Sequence, residues 1–469
     1  MKTSELLTRT SQIAQSYLAA LPNRPVRASA DVSDLRRAFE GPLPDSGEQP
    51  LEVIEALARD ADPGLIGMAG ARYFGFVIGG HLPAALAADW LTSTWDQNAG
   101  IYAAGPAASV VEEVVGGWLV DLFGLPTDTS FGLVTGGQMA NYTCLAAARH
   151  QVLATAGWDV ESRGLFGAPE IEVIVGAEAH ATILTALQDL GLGLGRDRVT
   201  LLPTDAQGRV QADALATPLR QAGDRPLIVC LQAGNVNTGA FDPFEALIGQ
   251  VRATRPDAWI HVDGAFGLWA AAVPSLQHLA SGLAGADSWA TDGHKWLNVP
   301  YDSGFALTAH PAAHHAAMAP ASAAYIQYGE AERNEFDWVP EYSRRARGFP
   351  AYAALRSLGR SGLNEMLERT CRVARSMAAQ LAADPRAEIL NEVVLNQVLV
   401  RFTPTDGGDR DAFTREVVRR VQEDGTCWLS GTAWHDMAAM RISVSNWSTT
   451  EADGTASVEA ILRCAGAAD

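Results

Sequence analysis

The segment FGLVTGGQMANYT, residues 131–143, decides how the middle of the chain is read. Five residues of strand character run into two glycines and then into a helical pattern that continues to residue 153. Strand, tight turn and helix form half of a parallel βαβ unit, and the alternation recurs downstream. IEVIVG (171–176), RVTLLP (198–203), PLIVCLQAG (226–234), WIHVDG (259–264) and GFALTA (304–309) read as further strands, with helices expected over 180–190 and 242–254. The series predicts an α/β fold: a large, mainly parallel sheet with helices on both faces.

On either side of this region the pattern changes. A long helical run over 351–383, the strand-like VVLNQVLVRF (393–402), a helix over 411–424 and the strand MRISVSN (440–446) predict a smaller C-terminal α+β domain. The first 80 or so residues read as helical, with loops rich in Pro and Gly around 41–50. The expected division is 1–85 for the helical N-terminal segment, 86–348 for the large domain and 349–469 for the small one.

Composition narrows the classes of function. At 469 residues, 48% hydrophobic and 19% charged, the chain can close more than one core. A formal charge of −19 opposes binding to nucleic acid, which needs a clustered basic surface. The five cysteines are odd in number and lack metal-ligand spacing, so neither a disulfide framework nor a metal site is expected and a reducing cytoplasm fits. The N-terminus lacks the continuous apolar core of a signal peptide, and the most apolar region, 64–91, is interrupted by Arg72, His81 and Asp89. No membrane segment is expected.

Open α/β sheets bind ligands beyond the carboxyl ends of their strands. Gly136 and Gly137 there precede a helix, where free backbone N–H groups can receive an anion; a plain tight turn reads the same way. His180, in IVGAEAHATI, stands between a strand and a helix, as a helix cap also would. Asp263 ends a strand in HVDGAFG, where a buried carboxylate needs a cation or a hydrogen-bond donor and an exposed one needs nothing. Lys295 lies in DGHKWL. Lys and Arg together number 35, yet only Lys2 and Lys295 are lysines. A chain that otherwise uses arginine keeps lysine where the amine must lose its proton and attack a carbonyl. An anion site, an imidazole face, a carboxylate and such an amine together match the needs of pyridoxal 5′-phosphate, with phosphate, ring, pyridine nitrogen and aldehyde each provided for.

The motifs HVDGAFG (261–267), DGHKWL (292–297) and MRISVSNW (440–447) resemble those of the group II amino-acid decarboxylases, fold type I pyridoxal-phosphate enzymes that include aromatic-L-amino-acid and glutamate decarboxylases. The resemblance spans about residues 72–446. It implies that Lys295 forms the Schiff base, Asp263 pairs with the pyridine nitrogen, and Ala265 and His180 pack on opposite ring faces. It further implies that Gly136, Gly137 and Gln138 cradle the phosphate, that His294 and Asn235 contact the cofactor, and that Phe74, Asn98 and Tyr102 line the substrate pocket. By the same resemblance the active sites lie at a homodimer interface, and the reaction is α-decarboxylation of an L-amino acid to an amine and CO2.

Two positions depart from the family pattern. Glu335, beside Phe336, stands where the aromatic enzymes carry a catalytic tyrosine, with Tyr325 and Tyr328 close in sequence. Asn98, Gly100 and Tyr102 replace a largely apolar wall. The alternatives are oxygen-dependent decarboxylation with deamination to an aldehyde, or another fold type I reaction such as transamination or aldol cleavage. Arg441 divides between a substrate carboxylate and a domain interface, and Arg344 and Arg345 between positioning a loop and plain solvation.

Overall fold

The computed structural model describes residues 2–193, 199–319 and 332–468. Seven strands, β1 (Ser130–Val134), β2 (Glu172–Gly176), β3 (Val199–Leu202), β4 (Leu227–Gln232), β5 (Trp259–Asp263), β6 (Ser288–Asp292) and β7 (Gly304–Thr308), form one sheet in the order β1-β7-β6-β5-β4-β2-β3. All run parallel except β7, which is antiparallel to both of its neighbours. β2 and β4 are buried along their whole length, as near-continuous apolar strands covered on both faces should be.

β6 is the strand the sequence pattern hides. SWATD has only two apolar residues, yet all five are buried, because its polar side chains are satisfied inside the sheet. Ser288 Oγ accepts from Trp259 Nε1 at 2.8 Å, and Thr291 Oγ1 donates to the Ala265 carbonyl at 3.4 Å. Its register beside β5 brings the segment carrying Lys295 next to the one carrying Asp263.

A second, antiparallel sheet has the order β10-β11-β9-β8, from β8 (Ala387–Ile389), β9 (Gln397–Phe402), β10 (Ser430–Trp434) and β11 (Met437–Ser443). The short strands β8 and β10 were not evident in the sequence, since three residues and a Gly-Thr-rich stretch carry little alternation. The helix Gly348–Ala382, broken at Gly359 with φ 58°, packs its second half on this sheet with Arg410–Asp424 and Glu451–Ala468. Phe74 is fully buried in the same core.

The helices Thr3–Ala20, Val32–Phe39 and Pro50–Ala61 contain no buried residue. Leu7, Val32, Phe39, Val53 and Leu57 face outward from them. Among the described residues, no helix is long and apolar enough to cross a membrane.

Candidate active site

Asp263 closes β5 and is only 4% exposed. Its Oδ1 accepts the Ala265 N–H at 3.1 Å, while Oδ2 is buried without a partner. A buried carboxylate oxygen left bare costs on the order of 1–3 kcal/mol or more, so the fold holds an acceptor whose donor has to come from elsewhere. An N–H on a protonated heteroaromatic ring would be a donor of the kind it lacks.

His180 follows β2 and caps the helix Ala181–Asp189, its Nδ1 accepting the Thr182 N–H at 3.3 Å. The cap reading that the sequence offered for His180 is met in the structure. Burial pushes the imidazole below its ordinary value, Asp263 opposes that shift, and Lys295 and Arg441 reinforce it. Asp263, Asp292, Lys295 and Arg441 are thus all near enough to act on the ring.

The turn after β1 approaches β6 and the lysine loop so closely that a side chain there would displace its neighbours. A Cβ on Gly136 would lie 2.9 Å from His294 Cε1, and one on Gly137 would lie 2.7 Å from Asp292 Oδ2. Gly137 opens the helix Gly137–Thr155, and its N–H donates to Asp292 Oδ1 at 2.5 Å. The anion position at this helix start is thus filled by a carboxylate of the chain itself. Asp292 Oδ2 is also 2.9 Å from Lys295 Nζ, and His294 Nε2 is 3.4 Å from Oδ1. His294 is held below its ordinary value by burial, against the pull of Asp292. Tyr301 stacks on it, centroids 4.2 Å apart.

Asp292 and Tyr301 went unnoticed in the sequence, although both lie within six residues of Lys295. The signal was available in position alone: a carboxylate three residues before the amine. Gly79 was also missed; a Cβ there would sit 2.0 Å from the Lys295 carbonyl, so this segment lies directly on the lysine loop.

The structure brings Lys295, Asp263, His180, Gly136, Gly137 and His294 into one cluster, with Ala265 beside Asp263. Gln138 is exposed on the first helical turn. Asn235 is buried and engaged: its Oδ1 accepts from the Asn237 and Thr238 N–H groups and its Nδ2 donates to the Glu178 carbonyl at 3.2 Å. Asn98 and Tyr102 bond instead to the 334–344 segment, Asn98 to Arg344 N and Tyr102 to Asn334. Phe74 is separate from the cluster, a packing residue under the small sheet. Two residues on, Phe76 is 57% exposed with φ 53°, tilted over the Trp428 ring at 5.4 Å. The chain turns there, so the surface aromatic is Phe76.

Glu335 is fully buried against Arg333 and near Glu112 and Arg344, and burial, then Glu112, pushes it up to about 7. Arg344 is a buried partner of Glu112, with both carboxylate oxygens at 2.9 Å, and also donates to the Leu133 carbonyl. This network seals the open edge of β1. Arg345 pairs with Asp89 at 2.6 Å. Tyr325 and Tyr328 lie outside the described residues.

Arg441 on β11 is buried, donates to Asn237 Oδ1 at 3.2 Å, and keeps a buried Nε without a partner. Burial pushes it down to about 10. Among the described residues no carboxylate pairs with it. A guanidinium so placed is a ready anion anchor on the side of the cluster facing the small sheet.

The family described as "Pyridoxal-dependent decarboxylase conserved domain" matches residues 33–403. The chain is 25% identical to an aromatic-L-amino-acid decarboxylase of Bacillus atrophaeus over 448 residues, covering 93% of this chain and 90% of that one. It is 27% identical to a 4-hydroxyphenylacetaldehyde synthase of Rhodiola rosea over 475 residues, covering 96% and 93%. A crystal structure of Oryza sativa TDC with PLP and tryptamine superposes with a TM-score of 0.90 at 20% identity, covering 99% of this chain and 97% of that one.

Proposed function

The chain belongs to the pyridoxal-dependent decarboxylase family, a fold type I amino-acid decarboxylase that uses pyridoxal phosphate, and we propose that it removes the α-carboxylate of an L-amino acid with Lys295 as the covalent amine. The observation that carries this reading is the bare, buried Asp263 Oδ2, on the strand that pairs with the one leading into Lys295. Pyridoxal phosphate, when bound, supplies an aldehyde carbon for an amine and a ring that accepts an electron pair.

Each residue then has a defined task. Asp263 Oδ2 would hold a proton on the ring nitrogen, and its negative charge would favour the ring as an electron acceptor. Gly136 and Gly137 leave room for a phosphate at a helix start, once Asp292 releases the Gly137 N–H. Asp292 meanwhile holds Lys295 Nζ. His180 and Ala265 would flank the two faces of the ring. Arg441 offers an anchor for a carboxylate of the substrate, and fixing the substrate at that end decides which Cα bond stands free to break.

The product is the finer question. The position aligned with the family's tyrosine holds Glu335, which is locked in the β1 edge network. That observation favours testing the aldehyde-forming alternative, in which amino acid, O2 and water give aldehyde, CO2, ammonia and hydrogen peroxide. The cofactor-loaded chain is presented with each amino acid in an oxygen electrode cell, with amine, aldehyde and peroxide assayed together. Amine and CO2 without oxygen uptake is the expected outcome. Stoichiometric uptake of oxygen with peroxide release would replace decarboxylation to amine by the oxidative reaction.

The outward apolar side chains of the first three helices support a homodimer in which those helices cover a second copy. Sedimentation of the full chain tests this, and a monomer at micromolar concentration contradicts it.

A further inference from the structure

The hydrogen bonds that hold His180 continue deep into the sheet. Thr182 places its hydroxyl 2.8 Å from His180 Nδ1, besides donating its backbone N–H to that nitrogen at 3.3 Å. Asn141 Nδ2 donates to the hydroxyl at 3.4 Å, and Asn141 Oδ1 is 2.9 Å from His261 Nε2. His261 Nδ1 is 2.9 Å from Ser288 Oγ, which accepts the Trp259 indole N–H at 2.8 Å. Asn141, His261 and Ser288 are wholly buried, so water does not compete for these bonds.

Both ends of this chain are groups that can only donate: a backbone N–H and an indole N–H. From the first end, His180 Nδ1 receives a proton and so carries none, and the Thr182 hydroxyl beside it also donates to it. The hydroxyl oxygen then accepts from the Asn141 amide nitrogen. That orientation puts the Asn141 carbonyl against His261 Nε2, which must hold the ring proton. His261 is neutral, since burial pushes it down to about 3, so its Nδ1 accepts from Ser288. The Ser288 oxygen is left to accept from Trp259, which is the fixed condition at the second end. Cys144, whose thiol also contacts Ser288, is pushed up to about 12 by burial and adds no charge. One polarity satisfies every member.

We propose that Thr182, Asn141 and His261 are positioning residues that fix His180 as the Nε2–H tautomer, so that the ring edge turned away from Thr182 presents a donor. The inference rests on the reading of His180 as a cofactor-site residue. The charged groups facing His180 are Asp263 from β5, Asp292 and Lys295 from β6 and the loop after it, and Arg441 from β11. Two donors on Nδ1 oppose its protonation, so removing one lets the imidazole charge at higher pH.

The test is 15N NMR of the full chain labelled with [15N]histidine, with and without pyridoxal phosphate, His180 being assigned with His180→Gln. The expected spectrum shows protonated Nε2 and unprotonated Nδ1 for His180 and His261, with His261 not titrating between pH 8 and 5. Thr182→Val should raise the His180 midpoint by roughly half a unit to one unit, and Thr182→Ser should restore it. An Nδ1–H tautomer at His180 overturns the proposal, and so does a midpoint that Thr182→Val leaves unmoved. If Thr182→Val fails to fold, the wild-type tautomer decides alone. A His180 signal that pyridoxal phosphate leaves unshifted would instead overturn the cofactor-site reading, whichever tautomer is found.

Discussion

Lys295→Ala should lose turnover by roughly 10³-fold or more and bind pyridoxal phosphate without the visible absorbance of a lysine-linked cofactor. The expectation follows from what surrounds the amine. Lys295 Nζ lies 2.9 Å from the buried Asp292, with its side chain 22% exposed, and the only other lysine of the chain is Lys2. Lys295→Arg should fail equally, although it keeps the charge and the Asp292 pair, because a guanidinium does not lose its proton to attack an aldehyde. That pairing separates the two roles open to the residue. If Lys295 only balanced Asp292, the arginine variant would work; if it is the covalent amine, both variants fail. Absorbance and turnover retained in Lys295→Arg would remove Lys295 from the chemistry.

Asp263→Asn is the second large effect, with turnover expected to fall by about 10²- to 10³-fold. The substitution keeps size and the Ala265 contact, but Oδ2 can be replaced by an amide nitrogen that donates where an acceptor is required. A ring nitrogen facing that amide is no longer held protonated, and the ring accepts electrons less readily. The bound cofactor should remain detectable by absorbance, since the lysine and the helix start are unchanged. A variant with near wild-type kcat would show that the bare oxygen does not face the cofactor.

The main sheet was legible because its strands are apolar and end in short, chemically distinctive turns. VTGG, HVDG and GHKW sit at strand ends, where a fold of this class gathers its functional groups. β6 escaped notice because a strand with Ser, Thr and Asp buried in it shows no hydrophobic period; its polar groups are paid for by neighbours distant in sequence. The same distance hid Asp292, whose meaning comes from a contact with Gly137, 155 residues earlier. Phe74 and Phe76 differ by a full reading period, and only the left-handed turn at Phe76 and Val77 tells which of them leaves the core. Arg344 and Glu335 read as loop residues, yet they close the edge of β1, a task that exists only once the sheet is assembled. Arg441 stayed open for a similar reason, since its lack of a carboxylate partner is a property of the folded surroundings.

One amine, in the loop after the strand that pairs with the Asp263 strand, is expected to join the cofactor. The scarcity of lysine makes it directly measurable. The cofactor-loaded chain is reduced with borohydride, digested, and mapped by mass spectrometry for the pyridoxyl group. The group is expected on the peptide that carries Lys295, with none on the peptide that carries Lys2. A fully loaded chain with the label on Lys2, or with no label on either peptide, would contradict it.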